Sequence, residues 1–279
     1  MSLGNCFITA DCQPCLTKLT NLVVLDLSVS TWAPADAHPG DDDVDVDLDA
    51  FVIFCGWPAL TFLGIRDCTL FSASTVLTVP RATELHLTCL PSELVCDDIH
   101  LGVSCSLQDV LLYTKDYIWF KYIVGLQFHV RYTPWTAADF KLSFMHVVQS
   151  CPCLQQLCMS VWSGPAGSEV VNLVLDEGQG SQLTYIGLIA CGDLGLRCKV
   201  VDFCSARSLT SVTLAGIDQP DAMCQLYLPT SLTGLRFDGC GLFTQESCSS
   251  LQGLSNLTDL YLDPVTVQGQ ISALFNVFQ

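Results

Sequence analysis

Between Leu60 and Cys68 the chain reads LTFLGIRDC, with apolar side chains at the first, fourth and sixth positions and a cysteine at the ninth. A helix repeats every 3.6 residues and a half-buried strand every 2, and this spacing follows neither through its length. The pattern recurs as LVVLDLSVS from Leu22, ATELHLTCL from Ala82, LQDVLLYT from Leu107 and IVGLQFHV from Ile123. Further copies start at Leu154 (LQQLCMSV), Leu183 (LTYIGLIAC), Leu209 (LTSVTLAGI), Leu232 (LTGLRFDGC) and Leu257 (LTDLYLDPV). Positions four and six lie two residues apart, which predicts a short strand with both side chains on one face. The first position enters the core before the strand begins. The ninth leaves it at a turn, where Asn or Cys can bond backbone groups that lack a ladder partner. Cys68, Cys191 and Cys240 hold that place and are expected to be reduced and buried.

Ten anchors between Leu22 and Leu257 give a mean period of about 26 residues, with individual gaps of 16 to 38. The segments between them must cover the other side of the core. In TAADFKLSFMHVVQ, Thr136 with Asp139 predicts a capping box, and Phe140, Phe144 and Val147 share one helical face. TQESCSSLQGL, from Thr244, predicts a shorter helix or a single turn. The first gap contains APADAHPGDDDVDVDLDA, a Pro/Gly/Asp-rich stretch that predicts an exposed loop. VVNLVLD, inside 163–180, falls outside the register, as a poorly matched repeat or a hairpin excursion. Near the end, Ile271, Leu274, Phe275 and Phe278 are spaced for one apolar helical face, expected to pack beneath Leu260 and Leu262 as a cap.

The L-x-x-L-x-L-x-x-(N/C) copies resemble the leucine-rich repeat family over nearly the whole chain. The resemblance implies an α/β solenoid, a horseshoe of about ten irregular repeats with a parallel strand layer on its concave side and helical or irregular convex returns. On that plan residues 1–21 are a lead-in or cap, 22–266 the repeat domain with an acidic insertion at 33–50, and 267–279 a closing helix. Leu235 and Leu260 are expected to be buried on adjacent parallel strands. Positions three, five and seven of each repeat would form the concave face. They supply Phe62, Arg66, Glu84, His86, Asp109, Tyr113, Gln127, His129, Tyr185, Arg236, Asp238, Asp259, Tyr261 and Asp263. The resemblance implies non-enzymatic binding of a protein partner there. CPCLQQLCMSV and the helix before it also resemble the repeats of F-box substrate receptors. That gives an alternative expectation, a ubiquitin-ligase adaptor fragment lacking its F-box, since about 21 residues before the first anchor are too few for one.

Charge narrows the partner. Twenty-eight acidic residues against 11 Lys and Arg leave a net charge of −17. No Lys/Arg cluster is present, and binding to phosphate backbones or anionic lipid depends on one, so neither nucleic acid nor membrane is expected. A basic protein partner is permitted. MSLGNCFITADCQPC lacks a basic leader and a long apolar run, and Ala50–Ile65 is short and broken by Pro58, so a cytoplasmic chain is expected. There the 17 cysteines serve as small buried hydrophobes.

Candidate chemistry is sparse. The run Asp41, Asp42, Asp43, Asp45, Asp47, Asp49 has Val46 and Val52 where an EF-hand loop from Asp41 needs Gly and Glu, so it predicts a solvated loop. Cys12 and Cys15, with Cys6 nearby, lack the second pair that a zinc site requires. His146, Cys151, Cys153 and Cys158 divide between a helix and the next strand, and are not expected to converge on a metal. No nucleophile elbow, phosphate loop, zincin or dinucleotide fingerprint occurs. The expectation is no catalysis, no cofactor and no metal. Asn256-Leu257-Thr258 fits a glycosylation acceptor, which a chain without secretion would not use.

Overall fold

The structure, a computed structural model, describes residues 7–9, 18–26, 31–33, 59–65, 76–78, 82–87, 93–95, 99–105, 110, 123–130, 136–161, 170–190, 196–218, 225–239, 251 and 253–263. It divides into two compact units, Met1–Cys105 with Lys115–Leu126, and Ser106–Thr114 with Gln127–Gln279. The described architecture is a parallel-stranded solenoid. Among the described residues no helix is long and apolar enough to cross a membrane.

The first unit carries β1 (Phe7–Thr9), β2 (Val24–Asp26), β3 (Thr31–Ala33), β4 (Phe62–Ile65), β5 (Val76–Thr78), β6 (Glu84–Leu87), β7 (Glu93–Val95) and β8 (Ile99–Cys105). The even-numbered strands stack in parallel in the order β2, β4, β6, β8. β1 precedes the ladder and β3, β5 and β7 lie in its connections, pairing in parallel as β1 with β3 and β5 with β7. In the main ladder Leu25, Leu63, Leu85 and Leu101 are in register, and all are buried. These are the fourth positions of their turns. Each leucine stacked in such a row contributes about 1.5–3 kcal/mol by leaving water.

One anchor is corrected here. The strand that follows β6 is β8, whose His100, Leu101 and Gly102 pair with Glu84, Leu85 and His86. The LQDVLLYT copy at Leu107 does not supply it: Val110 is helical and buried. In the sequence its apolar residues at 107, 110 and 111 also fit a helical stripe, in keeping with the helical Val110.

β9 (Ile123–Val130) gives its first half to the first unit and its second half to the second, with Leu126, Phe128 and Val130 buried at a period of two. The second unit continues with α1 (Ala137–Ser150), β10 (Gln156–Val161), β11 (Val171–Val174), β12 (Tyr185–Ala190), β13 (Leu196–Asp202), β14 (Ser211–Ala215), β15 (Ile217–Asp218), β16 (Gln225–Tyr227), β17 (Gly234–Asp238) and β18 (Asp259–Leu262). β10, β12, β14, β17 and β18 form a parallel ladder. Its fourth positions Leu157, Ile186, Val212, Leu235 and Leu260 are in register. The first four are buried and Leu260, on the last described strand, is half-buried. The sixth positions Met159, Leu188, Leu214 and Phe237 are buried as well.

The capping box forms as the sequence predicts. Thr136 Oγ1 accepts from the Asp139 amide at 3.1 Å, and the Asp139 carboxylate accepts from the Thr136 amide at 2.8 Å. Phe140, Phe144 and Val147 are buried on one face of α1, which lies against β11.

The later returns differ from the expected helices. Among the described residues, the connections from β10 to β12, β12 to β14 and β14 to β17 carry strands, with β11, β16 and β15 all pairing in parallel with β13. VVNLVLD is therefore neither a repeat nor a hairpin but the first strand of a second parallel sheet. Its side chains explain this: Val171, Leu173 and Leu175 are buried while Asn172 is exposed, a strand alternation in a β-branched segment. In the core of this unit Phe203, just after β13, meets Phe144 of α1 with ring centroids 6.1 Å apart. Cys68, Cys191 and Cys240, the acidic run 41–49, Cys6, Cys12 and Cys15, most of the Thr244 segment and the 267–279 helix fall outside the described residues.

A row of threonines ties the ladder strands together at their entrances. In the second unit the hydroxyls of Thr184, Thr210, Thr233 and Thr258 donate to the carbonyls of Gln155, Thr184, Thr210 and Thr233 at 3.0–3.2 Å. The same carbonyls accept the amides of the threonine and of the residue after it, as Thr210 O does from Thr233 N at 2.8 Å and Gly234 N at 2.9 Å. Thr61 and Thr83 repeat the arrangement in the first unit, onto Val23 and Thr61. Three donors thus converge on one oxygen at each step.

Candidate functional site

Because side chains alternate along a strand, burying positions four and six turns three, five and seven outward. The two units present different outward faces.

In the first unit the face holds Asp26, Phe62, Glu84, His86 and His100. His86 Nε2 contacts Glu84 Oε1 at 2.6 Å, and the Phe62 and His86 rings lie 5.5 Å apart at 43°. Gly64 and Gly102 stand at fifth positions in this face, with Gly125 on β9. A Cβ on Gly64 would come within 2.8 Å of Asp26 Oδ1, and one on Gly102 or Gly125 would overlap the ring of His86 or His100. Missing side chains therefore let the imidazoles lie down on the sheet.

In the second unit the register draws one straight row across the ladder. Cys158, Gly187, Thr213, Arg236 and Tyr261 are successive partners on β10, β12, β14, β17 and β18. Tyr185 folds over the gap at Gly187, where a Cβ would sit 2.6 Å from its hydroxyl and 3.1 Å from Cys158 Sγ. Its phenol is hydrogen-bonded with Thr213 and lies within the field of Arg236. Further along, Arg236 donates to Asp238 Oδ2 at 2.8 Å and places its guanidinium carbon 4.4 Å from the centre of the Tyr261 ring. The order along the row is thiol, phenol, hydroxyl, guanidinium, phenol.

Its protonation is that of a recognition surface at neutral pH. Burial pushes the Cys158 thiol up, against a smaller lowering from its contact with Ser160. Burial also pushes the Tyr185 phenol up, partly offset by Thr213. Both groups therefore stay neutral near pH 7, and the row offers hydrogen bonding and stacking rather than a thiolate nucleophile. Among the described residues no group of three or more His, Cys, Asp or Glu side chains converges as metal ligands would.

The sequence-derived candidates sort as follows. Phe62, Glu84 and His86 come together in the first unit. Tyr185, Arg236, Asp238 and Tyr261 come together in the second, with Asp259 and Asp263 on either side of Tyr261 along the chain. Gln127 and His129 are half-buried on β9. Arg66, Asp109 and Tyr113 lie outside the described residues. His100, Cys158 and Thr213 were not among the candidates. Cys158 and Thr213 occupy fifth positions of their copies, so the register alone signals them. His100 is hidden because its strand carries no leucine at the first position. Asn256 of the glycosylation pattern has a local role, its Nδ2 donating to the Thr230 carbonyl at 2.8 Å.

No protein-family model matches the chain and no curated protein matches it, so the functional reading rests on this geometry.

Proposed function

We propose that the chain is a non-enzymatic binding protein that engages a protein partner through the outward face of the strand ladder in its second unit. The observation that carries this reading is the Tyr185–Thr213–Arg236–Tyr261 row. Tyrosine and arginine are enriched among the side chains that dominate binding energy at protein interfaces, tyrosine because it brings large contact area at little cost in rotamer freedom and arginine because its planar guanidinium both stacks and donates several hydrogen bonds. Here they are held in place, Tyr185 over Gly187 and Arg236 between Asp238 and Tyr261, so less ordering remains to be done on binding. Tyr261 is 48% exposed and Arg236 lies open beside it. We read the repeated L-T-x-L-x-L segments as leucine-rich-repeat-like and the ladder face as the concave surface of that plan, in a cytoplasmic protein.

The test is quantitative affinity capture from native cell extract, comparing the natural chain with Tyr185→Ala/Tyr261→Ala and with Asp176→Asn/Glu177→Gln, a pair on an exposed turn away from the row. Partners that vanish with the tyrosine pair and persist with the turn pair support the reading. A partner set unchanged by the tyrosine pair sinks it, provided thermal unfolding shows the variant folded.

A further inference from the structure

We infer that the partner docks on this face as an extended segment carrying Lys or Arg, laid across the ladder strands so that the basic side chain sits over β17 and β18. This rests on the binding reading above and adds the chemistry of what is bound.

The relief of the face argues for an extended segment. Along the fifth-position row the early steps are low: Tyr185 lies folded across Gly187 and buries it, and β14 turns out only Ser211, Thr213 and Ala215, where the sheet is most approachable. A backbone can approach a sheet closely where side chains are missing or small.

Charge supplies the direction. The outward positions of β10, β12 and β14 are Gln156, Cys158, Ser160, then Tyr185, Gly187, Ile189, then Ser211, Thr213, Ala215, with no ionised group among them. The last two strands reverse this. Asp238 follows Arg236 on β17, while Asp259 and Asp263 flank Tyr261 on and just after β18. Arg236 is held by Asp238 and stacks on Tyr261, so it serves to position the ring and one carboxylate. The Thr258 hydroxyl, already donated to the Thr233 carbonyl at 3.2 Å, passes 3.1 Å from Asp259 Oδ2, and a neutral hydroxyl leaves that carboxylate its charge. Asp263 donates its amide to Phe237 O at 3.0 Å, which continues the ladder one step past β18, so Asp259 and Asp263 stand at the alternate positions on either side of Tyr261. Two carboxylates around a partly exposed phenol suit an ammonium or guanidinium, by ion pairing together with the attraction of a cation to a ring. The net charge of −17 adds steering of a basic segment toward this chain.

Spacing makes the inference specific. From Gly187 to Tyr261 is three strand spacings of about 4.8 Å, roughly 14 Å, which about four residues of extended chain cover. The bound segment should carry a small or flat apolar residue over Tyr185 and Gly187, and Lys or Arg about four positions away.

The experiment selects binders to the natural chain from displayed random peptides of about a dozen residues, long enough to cross the row. The best peptides are then measured against three double variants, Asp259→Asn/Asp263→Asn, Asp176→Asn/Glu177→Gln and Tyr185→Ala/Tyr261→Ala. Expected are peptides with Lys or Arg about four residues from an apolar position, weakened about tenfold or more by the first variant and less than about twofold by the second, although both remove two charges. Equal weakening by those two variants would mean bulk electrostatics and overturn the inference. Peptides lost with the tyrosine pair but lacking a basic residue, or indifferent to Asp259 and Asp263, overturn it while leaving the binding face standing. Peptides indifferent to the tyrosine pair remove the binding face itself. A selection that enriches nothing overturns the extended-segment mode, while capture of a folded partner continues to test the face.

Discussion

Gly216 permits a controlled test of how tightly successive turns of the second unit are stacked. It follows β14 directly, with φ of +61°, in the left-handed region. Its amide donates to Asp238 O at 2.9 Å, and its carbonyl accepts from Leu196 N at 3.0 Å. A methyl group there would overlap the backbone carbonyl oxygen of Ala190. Gly178 is the matched control: its φ is +88°, and nothing lies within 4 Å of where its Cβ would be. Alanine in the left-handed region costs about 1–2 kcal/mol, and this applies at both sites. Only at Gly216 must a backbone carbonyl also move, straining two inter-turn hydrogen bonds worth about 0.5–1.5 kcal/mol each. Gly216→Ala should therefore cost about 2–5 kcal/mol and Gly178→Ala about 1–2 kcal/mol. Urea unfolding followed by circular dichroism reads the difference as a shift in midpoint at similar slope. Equal midpoints for the two variants would refute the reasoning, since they would show that the turns accommodate a methyl group without loss.

Other consequences can be measured on the same protein. Leu235 is 2% exposed between Val212 and Leu260 in the ladder, so Leu235→Ala should cost about 2–5 kcal/mol; a loss below about 1 kcal/mol would contradict its burial. Thr233→Val removes a hydroxyl, but the Thr210 carbonyl keeps two amide donors, so the loss should stay near 0.5–1 kcal/mol, roughly the net worth of one hydrogen bond. Burial pushes the Cys151 thiol up to about 12, whereas Cys153 is exposed. At pH 8 iodoacetamide should modify Cys153 first and reach Cys151 only on unfolding, with peptide mapping as the readout; equal rates would refute the burial. Because the folded pKa of Cys151 lies above its unfolded value, its contribution to stability is complete below pH 9 and is lost as pH rises toward 12.

Much of this architecture is written in three leucine positions. Steps of three and two residues place Leu60 and Leu63, or Leu232, Leu235 and Phe237, in the core without reference to any neighbour, because only a turn followed by a short strand buries that spacing. The helix at Ala137–Ser150 is equally local, fixed by Thr136, Asp139 and three apolar residues. Of the return strands, VVNLVLD was legible as strand-like but not its place in a second sheet, while pieces of two or three residues such as β15 and β16 are too short to show a period and exist through pairing with β13. β8 was missed for a related reason: its burial is carried by Leu101 and Val103 without a leucine ahead of them. In the candidate site, single residues were legible and their order was not. The alignment of Gly187, Thr213, Arg236 and Tyr261 into one row depends on register between strands more than 20 residues apart in the chain. The Leu-Thr dipeptide that opens the copies at Leu60, Leu183, Leu209, Leu232 and Leu257 was visible, but its meaning lies in a carbonyl one turn away.

That hydroxyl row has an orientation. Along Gln155, Thr184, Thr210, Thr233 and Thr258, every acceptor belongs to the earlier turn and every donor to the later one. A ribosome delivers the chain in the same order, so each completed turn can stand as a template awaiting the next, and assembly of this unit can proceed in step with synthesis. Shortening the unit is asymmetric for the same reason. Removing later turns bares carbonyls that water can satisfy, whereas removing an early one strips three donors of their shared acceptor and leaves the newly exposed turn without its mould.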